Sequence, residues 1–181
     1  KINIENFQQE LKKHQELSRT ASAGMFRGGL ADVSEATTKL HTAAHLLLAN
    51  LRQILGSHVS QKGRNITAER LRFDFSHPEK VTREQIMAVE NLVNENIKAG
   101  LKIKCVTKNL EIAKAQGALG VFENKYAEKV KVYTIGDEGH PISSEICGGP
   151  HVNNTKELGK FRIIKEESSS SGVRRIKAIL E

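Results

Sequence analysis

Apolar residues recur every three to four positions in two long stretches of the chain, and every second position in several short ones. Leu40, Leu47, Leu51 and Leu55 share one face of a helix that Gly56 ends, because this spacing gathers side chains into a single stripe. Asp32 and Glu35 stand before it at capping-box spacing, with Ser34 as the alternative cap. A second helix begins after Pro78, with Thr82 and Gln85 at the same spacing. It carries Ile86, Val89, Val93 and Ile97 on one face and stops at Gly100. Residues 3–22 predict a thinner amphipathic helix, with Phe7, Leu11 and Leu17 among polar neighbours. Gly24, Gly28 and Gly29 then mark a linker at 23–33.

The alternating stretches read as strands. HVSQKG and ITAERLRFDFS form two, with Gly63 in the turn between them. LKIKCV sets Leu101, Ile103 and Cys105 against Lys102 and Lys104, and KVKVYTI places Val130 and Val132 on one face. GKFRIIK and GVRRIKAIL close the chain, with Ser168–Ser171 read as a loop between them, and a short helix is expected near 109–116. Helices and strands mix without regular alternation and without an internal repeat. The expected class is therefore α+β, a mainly antiparallel sheet packed with long helices. A helical connector and linker at 1–33 precede the main domain at 34–181 in this reading.

Composition narrows the setting. The chain has 181 residues, 38% hydrophobic and 27% charged, as in ordinary soluble domains. No apolar run approaches the roughly 20 residues that span a bilayer, and the polar start KINIENFQQELKKHQ is unlike a secretory signal. No membrane partner is expected. Because the first residue is Lys1, a piece of a longer chain is the expectation. The net charge of +7 favours a polyanionic partner, since cations near phosphates release condensed counterions. Two cysteines, Cys105 and Cys147, do not make a disulfide scaffold, so a reducing, cytoplasmic setting follows.

Chemistry concentrates in two short segments. LHTAAHLLL puts His41 and His45 four residues apart, on one helical face at the border of the leucine stripe, a half-buried position. EICGGPHV gives Cys147 and His151, with Gly148, Gly149 and Pro150 between them; two glycines and a proline make a tight turn that lets both side chains converge. Either pair alone is more often an accident of packing than a ligand pair. Together they make a Cys-His₃ set between a helix and a loop, and zinc is its best match. A zinc-protease signature needs a general-base Glu beside the first His, where this chain has Thr42. The zinc-deaminase signature and a phosphate-binding loop are also absent.

The order HXXXH, SQKG, RLRFDFSH, EICGGPH and SSGVRRI resembles the editing domain of alanyl-tRNA synthetases over about residues 25–180. Free-standing alanyl-tRNA editing proteins and the threonyl-tRNA synthetase editing domain share the metal pattern. The helix at 3–22 resembles the connector that precedes the editing core. The resemblance implies Zn²⁺ on His41, His45, Cys147 and His151, and places Gln61 in an editing pocket as the catalytic candidate. Two departures are Ala44, where the family usually has Thr before the second His, and Pro150, where it favours Thr. VFENKYA matches the family at Phe122, Lys125 and Tyr126.

The function this implies is hydrolysis of tRNA(Ala) mischarged with serine or glycine. A pocket for alanine discriminates against a missing methyl by only about 1–3 kcal/mol, and against an added hydroxyl by about a hundredfold, so a second site must remove the wrong ester. The expected partners are the acceptor end of that tRNA and an aminoacylation domain outside this chain, which would hold ATP. A free-standing deacylase, or a zinc-stabilised tRNA-binding module without catalysis, are the alternatives. Arg174 and Arg175 lead the candidates for RNA contact, with Lys62, Arg70 and Arg72 behind them; alternation sends Arg174 and Arg175 to opposite faces, and a salt bridge to Asp74 competes for Arg70 and Arg72. His58, His77 and His140 are expected at the surface or in loops.

Overall fold

The computed structural model describes residues 8–10, 30–121, 126–137 and 139–181. The connector expected at 3–22 is seen only as three exposed helical residues at 8–10; the rest of it, and Phe122 and Lys125, lie outside the described residues.

Helix α1 spans Glu35–Leu55. Its cap is Ser34, whose hydroxyl accepts from the Thr37 amide while the Thr37 side chain returns to the Ser34 amide. The box expected from Asp32 and Glu35 is therefore shifted by two residues, and Asp32 instead accepts from the Ser34 amide and the Thr37 hydroxyl. Strand β1 (Gln61–Ile66) pairs antiparallel with β2 (Leu71–Ser76). Gly63 sits inside β1 at a bulge rather than in the turn, which falls at 67–70. Helix α2 (Arg83–Ala99) is capped by a Thr82–Gln85 box as expected and ends on Gly100 in the left-handed region.

Strand β3 (Ile103–Asn109), helix α3 (Leu110–Ala115), β4 (Leu119–Gly120), β5 (Lys129–Gly136) and β6 (Pro141–Ile146) follow. A 3₁₀ turn at Thr155–Leu158 leads to β7 (Phe161–Ser170) and β8 (Val173–Leu180). The serine tract is strand up to Ser170, because β8 continues to pair with it, and the reversal is confined to Ser171 and Gly172. Strand β6 was not foreseen: PISSEI lacks an apolar alternation, yet Ser143 and Glu145 are buried and satisfy each other at 2.9 Å.

The strands form two four-stranded sheets, β1-β2-β8-β7 and β3-β5-β6-β4, antiparallel except for the short β4–β6 pair. The fold class is thus α+β, as expected. The larger core joins the leucine face of α1 and Val89, Val93 and Ile97 of α2 to Phe73, Phe75, Phe161 and Ile176 of the first sheet. A smaller core joins Val130, Val132 and Ile146 of the second sheet to Ala113 and Ala118. Helix α1 touches β1 and β2 of the first sheet and β6 of the second. A residue on α1 can therefore meet side chains from either sheet.

Candidate metal centre

Four side chains from two segments converge at this junction. His41 and His45 come from α1, Cys147 follows β6, and His151 lies four residues further on; their donor atoms all fall within 4.8 Å of one another. The histidines on α1 are deeper than the helical wheel implied, at 0% and 1% exposure, because both sheets close over that face. This corrects the half-buried expectation.

Two of the imidazoles, His41 and His151, are oriented by their other nitrogen, the usual device for presenting a lone pair to a metal. His41 Nδ1 donates to the Pro150 carbonyl at 3.0 Å, which leaves Nε2 facing Cys147 Sγ at 3.3 Å. His151 Nδ1 lies 3.1 Å from the Thr42 hydroxyl. That hydroxyl donates to the Thr38 carbonyl and accepts from the Val152 amide, so it is an acceptor toward His151 as well. His45 Nδ1 faces the Glu145 carboxyl at 3.4 Å. His45 Nδ1, His45 Nε2 and His151 Nε2 are all buried without a hydrogen-bond partner. A buried lone pair left unmatched costs about 1–3 kcal/mol, and here two of them point into one cluster beside a thiol.

The electrostatics keep these ligands ready. Burial holds His41 and His45 well below the usual imidazole range, with Arg64 adding to the effect. Burial and Arg64 push His151 down to about 3. The imidazoles are neutral near pH 7, as metal ligation requires. Burial raises Glu145 to about 7 and Tyr133 to about 12, the latter helped by a bond to Cys105. Tyr133 packs on His151 with ring centroids 4.2 Å apart. Arg64 Nη2 points at Cys147 Sγ from 3.7 Å. One soft donor and three neutral imidazoles, with two orphaned lone pairs among them, fit zinc.

The glycines act differently from the expected tight turn. Neither Gly148 nor Gly149 has a positive φ. Gly149 is needed for close approach: a Cβ there would collide with the His41 ring, reaching Nδ1 at 2.7 Å. Gly148 is exposed and has open space around it. Gly149→Ala is therefore expected to push His41 aside and weaken zinc binding about tenfold, the low end for disturbing a ligand's support. Competition with a chromophoric chelator measures this, and unchanged affinity would show that His41 is dispensable.

Gln61 is buried at 8% exposure and borders a cavity of about 370 Å³ with Leu48, Arg52, Lys62 and Leu119. Leu48 and Arg52 lie three and seven residues beyond His45 on α1, so the cavity continues the metal face of that helix. A larger cavity of about 440 Å³ lies near the start of α1, lined by Glu35, Glu69, Glu157 and Glu181 with Lys39. Its carboxylates suit an RNA end poorly.

The basic candidates are not gathered there. Arg174 is paired with Glu166 at 2.6 Å, and Arg175 grips both oxygens of Asp74 at 2.6 and 2.9 Å. Arg72 lies 3.7 Å from Asp74, Arg70 is half-buried, and Lys62 is exposed at the cavity. His58 and His140 are exposed as expected, but His77 is buried at 9% with Nδ1 3.0 Å from His58 Nε2. Sequence reasoning missed Arg64, Glu145, Tyr133 and the supporting role of Thr42. Glu145 and Cys147 share strand parity in EICGG, which is the one signal that would have found the carboxylate. Ala44 is packed in the larger core.

Residues 130–177 match the family described as the second additional domain of threonyl and alanyl tRNA synthetases. The chain is 59% identical over 180 residues to an alanine–tRNA ligase of Treponema denticola, covering 99% of this chain and 29% of that protein. It is 55% identical over 179 residues to that of Borrelia hermsii, covering 99% and 30%. The one from Helicobacter hepaticus is 51% identical over 141 residues, covering 78% and 15%. The chain thus spans about three tenths of the length of the first two relatives. No helix among the described residues is long and apolar enough to cross a membrane. Family match and identity along nearly its whole length agree that the chain is similar to the segment of alanine–tRNA ligases that carries the second additional domain.

Proposed function

We propose that this chain hydrolyses the ester of tRNA(Ala) mischarged with serine or glycine, working beside the aminoacylation domain of a longer ligase. The observation that carries this reading is a converging Cys-His₃ donor set, buried but for the half-buried His151, whose helix continues into a Gln61-lined cavity, in a chain 59% identical to an alanine–tRNA ligase. His41, His45, Cys147 and His151 hold zinc in this reading. Bound zinc supplies Lewis acidity if one protein donor gives way to substrate, and structural closure if all four hold.

The chain's own residues account for positioning. The Gln61 amide offers donors and an acceptor at the cavity wall, suited to orienting a small ester or the water that attacks it. Leu48 and Leu119 limit what enters, and Lys62 at the rim meets the negative end of the substrate. Glu145 lies beside His45, 3.4 Å from Nδ1, and does not line the Gln61 cavity.

Release of amino acid from Ser-, Gly- and Ala-tRNA(Ala) by the metal-loaded protein tests the reading. The expected result is rapid loss of serine or glycine with alanine spared. Four protein donors also fill a tetrahedron, which favours a second reading as a zinc-stabilised tRNA-binding module. Folded, metal-bound protein that releases nothing from any of the three would support that second reading and reject the first.

A further inference from the structure

The second sheet has two unlike faces. On one, Val130, Val132 and Ile146 pack with Ala113 and Ala118. On the other, Tyr133 meets His151 and Glu145 meets His45. Alternation along β5 puts Lys131 and Lys129 on the same face as Tyr133, and both are exposed. The Cys147 amide donates to the Lys131 carbonyl at 3.1 Å, so the first of these lysines stands directly beside the metal-donor cysteine. Across the strand, Tyr133, Lys131 and Lys129 face Cys105, Thr107 and Asn109, all neutral.

Of the nearby acids, Glu145 shares this face beside Tyr133 but is buried and bonded to Ser143. Glu111 belongs to α3, whose Ala113 packs on the opposite face, and Glu128 alternates away from Lys129. Among the described residues no ion pair holds Lys129 or Lys131, whereas Arg174 and Arg175 are committed to Glu166 and Asp74. Lys129 and Lys131 are therefore two exposed cations open to phosphate near the metal centre, in addition to Lys62 at the cavity.

We infer that the sheet face from Tyr133 to Lys129 is the track along which the single-stranded end of an RNA approaches the metal centre, with Lys131 and Lys129 contacting neighbouring phosphates. This rests on the hydrolase reading for its substrate but not for its binding. The lysines are two residues apart on one strand, about 6.5 Å, and their flexible stems adjust to phosphate positions that a rigid arginine fork would have to match. The net charge of +7 favours the encounter at a distance.

The test compares the metal-loaded protein with a K129E/K131E variant, and with K80E/K98E, which makes the same charge change at two exposed lysines flanking and ending α2. Binding of uncharged tRNA(Ala) is measured over a salt series. K129E/K131E should bind about tenfold more weakly at low salt. Its salt dependence should be shallower by about 1.4, at roughly 0.7 per single-strand phosphate; K80E/K98E should stay within about twofold of the unaltered protein. Equal weakening by both variants, unchanged binding by K129E/K131E, or no tRNA binding by the unaltered protein would overturn the track. A second arm compares Ser-tRNA(Ala) with a serine ester of adenosine, which lacks the phosphates. KM should rise for the tRNA alone, with kcat unchanged. Hydrolysis of both substrates with identical KM in the variant rejects the track and leaves the hydrolase. A selective binding loss with no hydrolysis by any protein rejects the hydrolase and leaves the track.

Discussion

Stripping zinc from the metal-loaded chain will lower its melting temperature by roughly 8–16 °C. The figure follows from linkage. At free zinc about a thousandfold above its dissociation constant, binding to the folded state alone contributes about 4 kcal/mol, and about 1 kcal/mol moves the midpoint of a domain this size by about 2–4 °C. The structure explains why the metal-free state is poor. His45 Nε2 and His151 Nε2 are left buried without partners, while His41, His45 and Cys147 are held at 0%, 1% and 9% exposure. The four residues tie α1 to the segment after β6, beside the contacts that α1 makes with β6 itself. Thermal unfolding with and without a chelator, with metal content measured on the same samples, checks this. Equal midpoints for loaded and stripped protein would show that the cluster folds without an ion and would remove zinc from the stability of this domain.

Gln61→Ala is expected to cut kcat/KM for Ser-tRNA(Ala) by about a hundredfold, the cost of removing one positioned polar group from a site that must orient a reacting ester. Metal stoichiometry should not change, since Gln61 is not among the four converging donors. The midpoint of unfolding should move little, because the side chain borders a cavity instead of filling the core. The variant thus separates catalysis from architecture, which Cys147→Ala would not, as it disturbs both. Unchanged turnover would remove Gln61 from the site. Loss of zinc together with turnover would make it a structural residue.

Much of the framework was legible because it depends on local spacing. The stripes of α1 and α2, the Thr82–Gln85 box and the stop at Gly100 follow from side chains a few residues apart, and the structure has all of them. Errors fell where a neighbouring strand overrode local preference. The serine tract has turn-like composition, but β8 offers it a full ladder and it stays extended to Ser170. Gly63 reads as a turn residue, yet β2 runs alongside it and reduces it to a bulge. PISSEI has no apolar alternation to reveal a strand, because Ser143 and Glu145 satisfy each other inside the protein.

The metal set shows the same division. Its ligand types and their two spacings stand in the sequence, since i, i+4 histidines and a Cys-x-x-x-His segment are local facts. Their depth was decided by two sheets closing over α1, and the ring orientations of His41 and His151 by the Pro150 carbonyl and the Thr42 hydroxyl. The fate of the arginines was likewise tertiary. Asp74 and Glu166 meet Arg175 and Arg174 through strand register, so cations that look available along the chain are neutralised in space. The sequence by itself determined which elements form and which donors exist. Only the tertiary structure decided which donors converge, which lose their solvent and which charges remain free, because burial and pairing depend on chain segments more than a hundred residues apart.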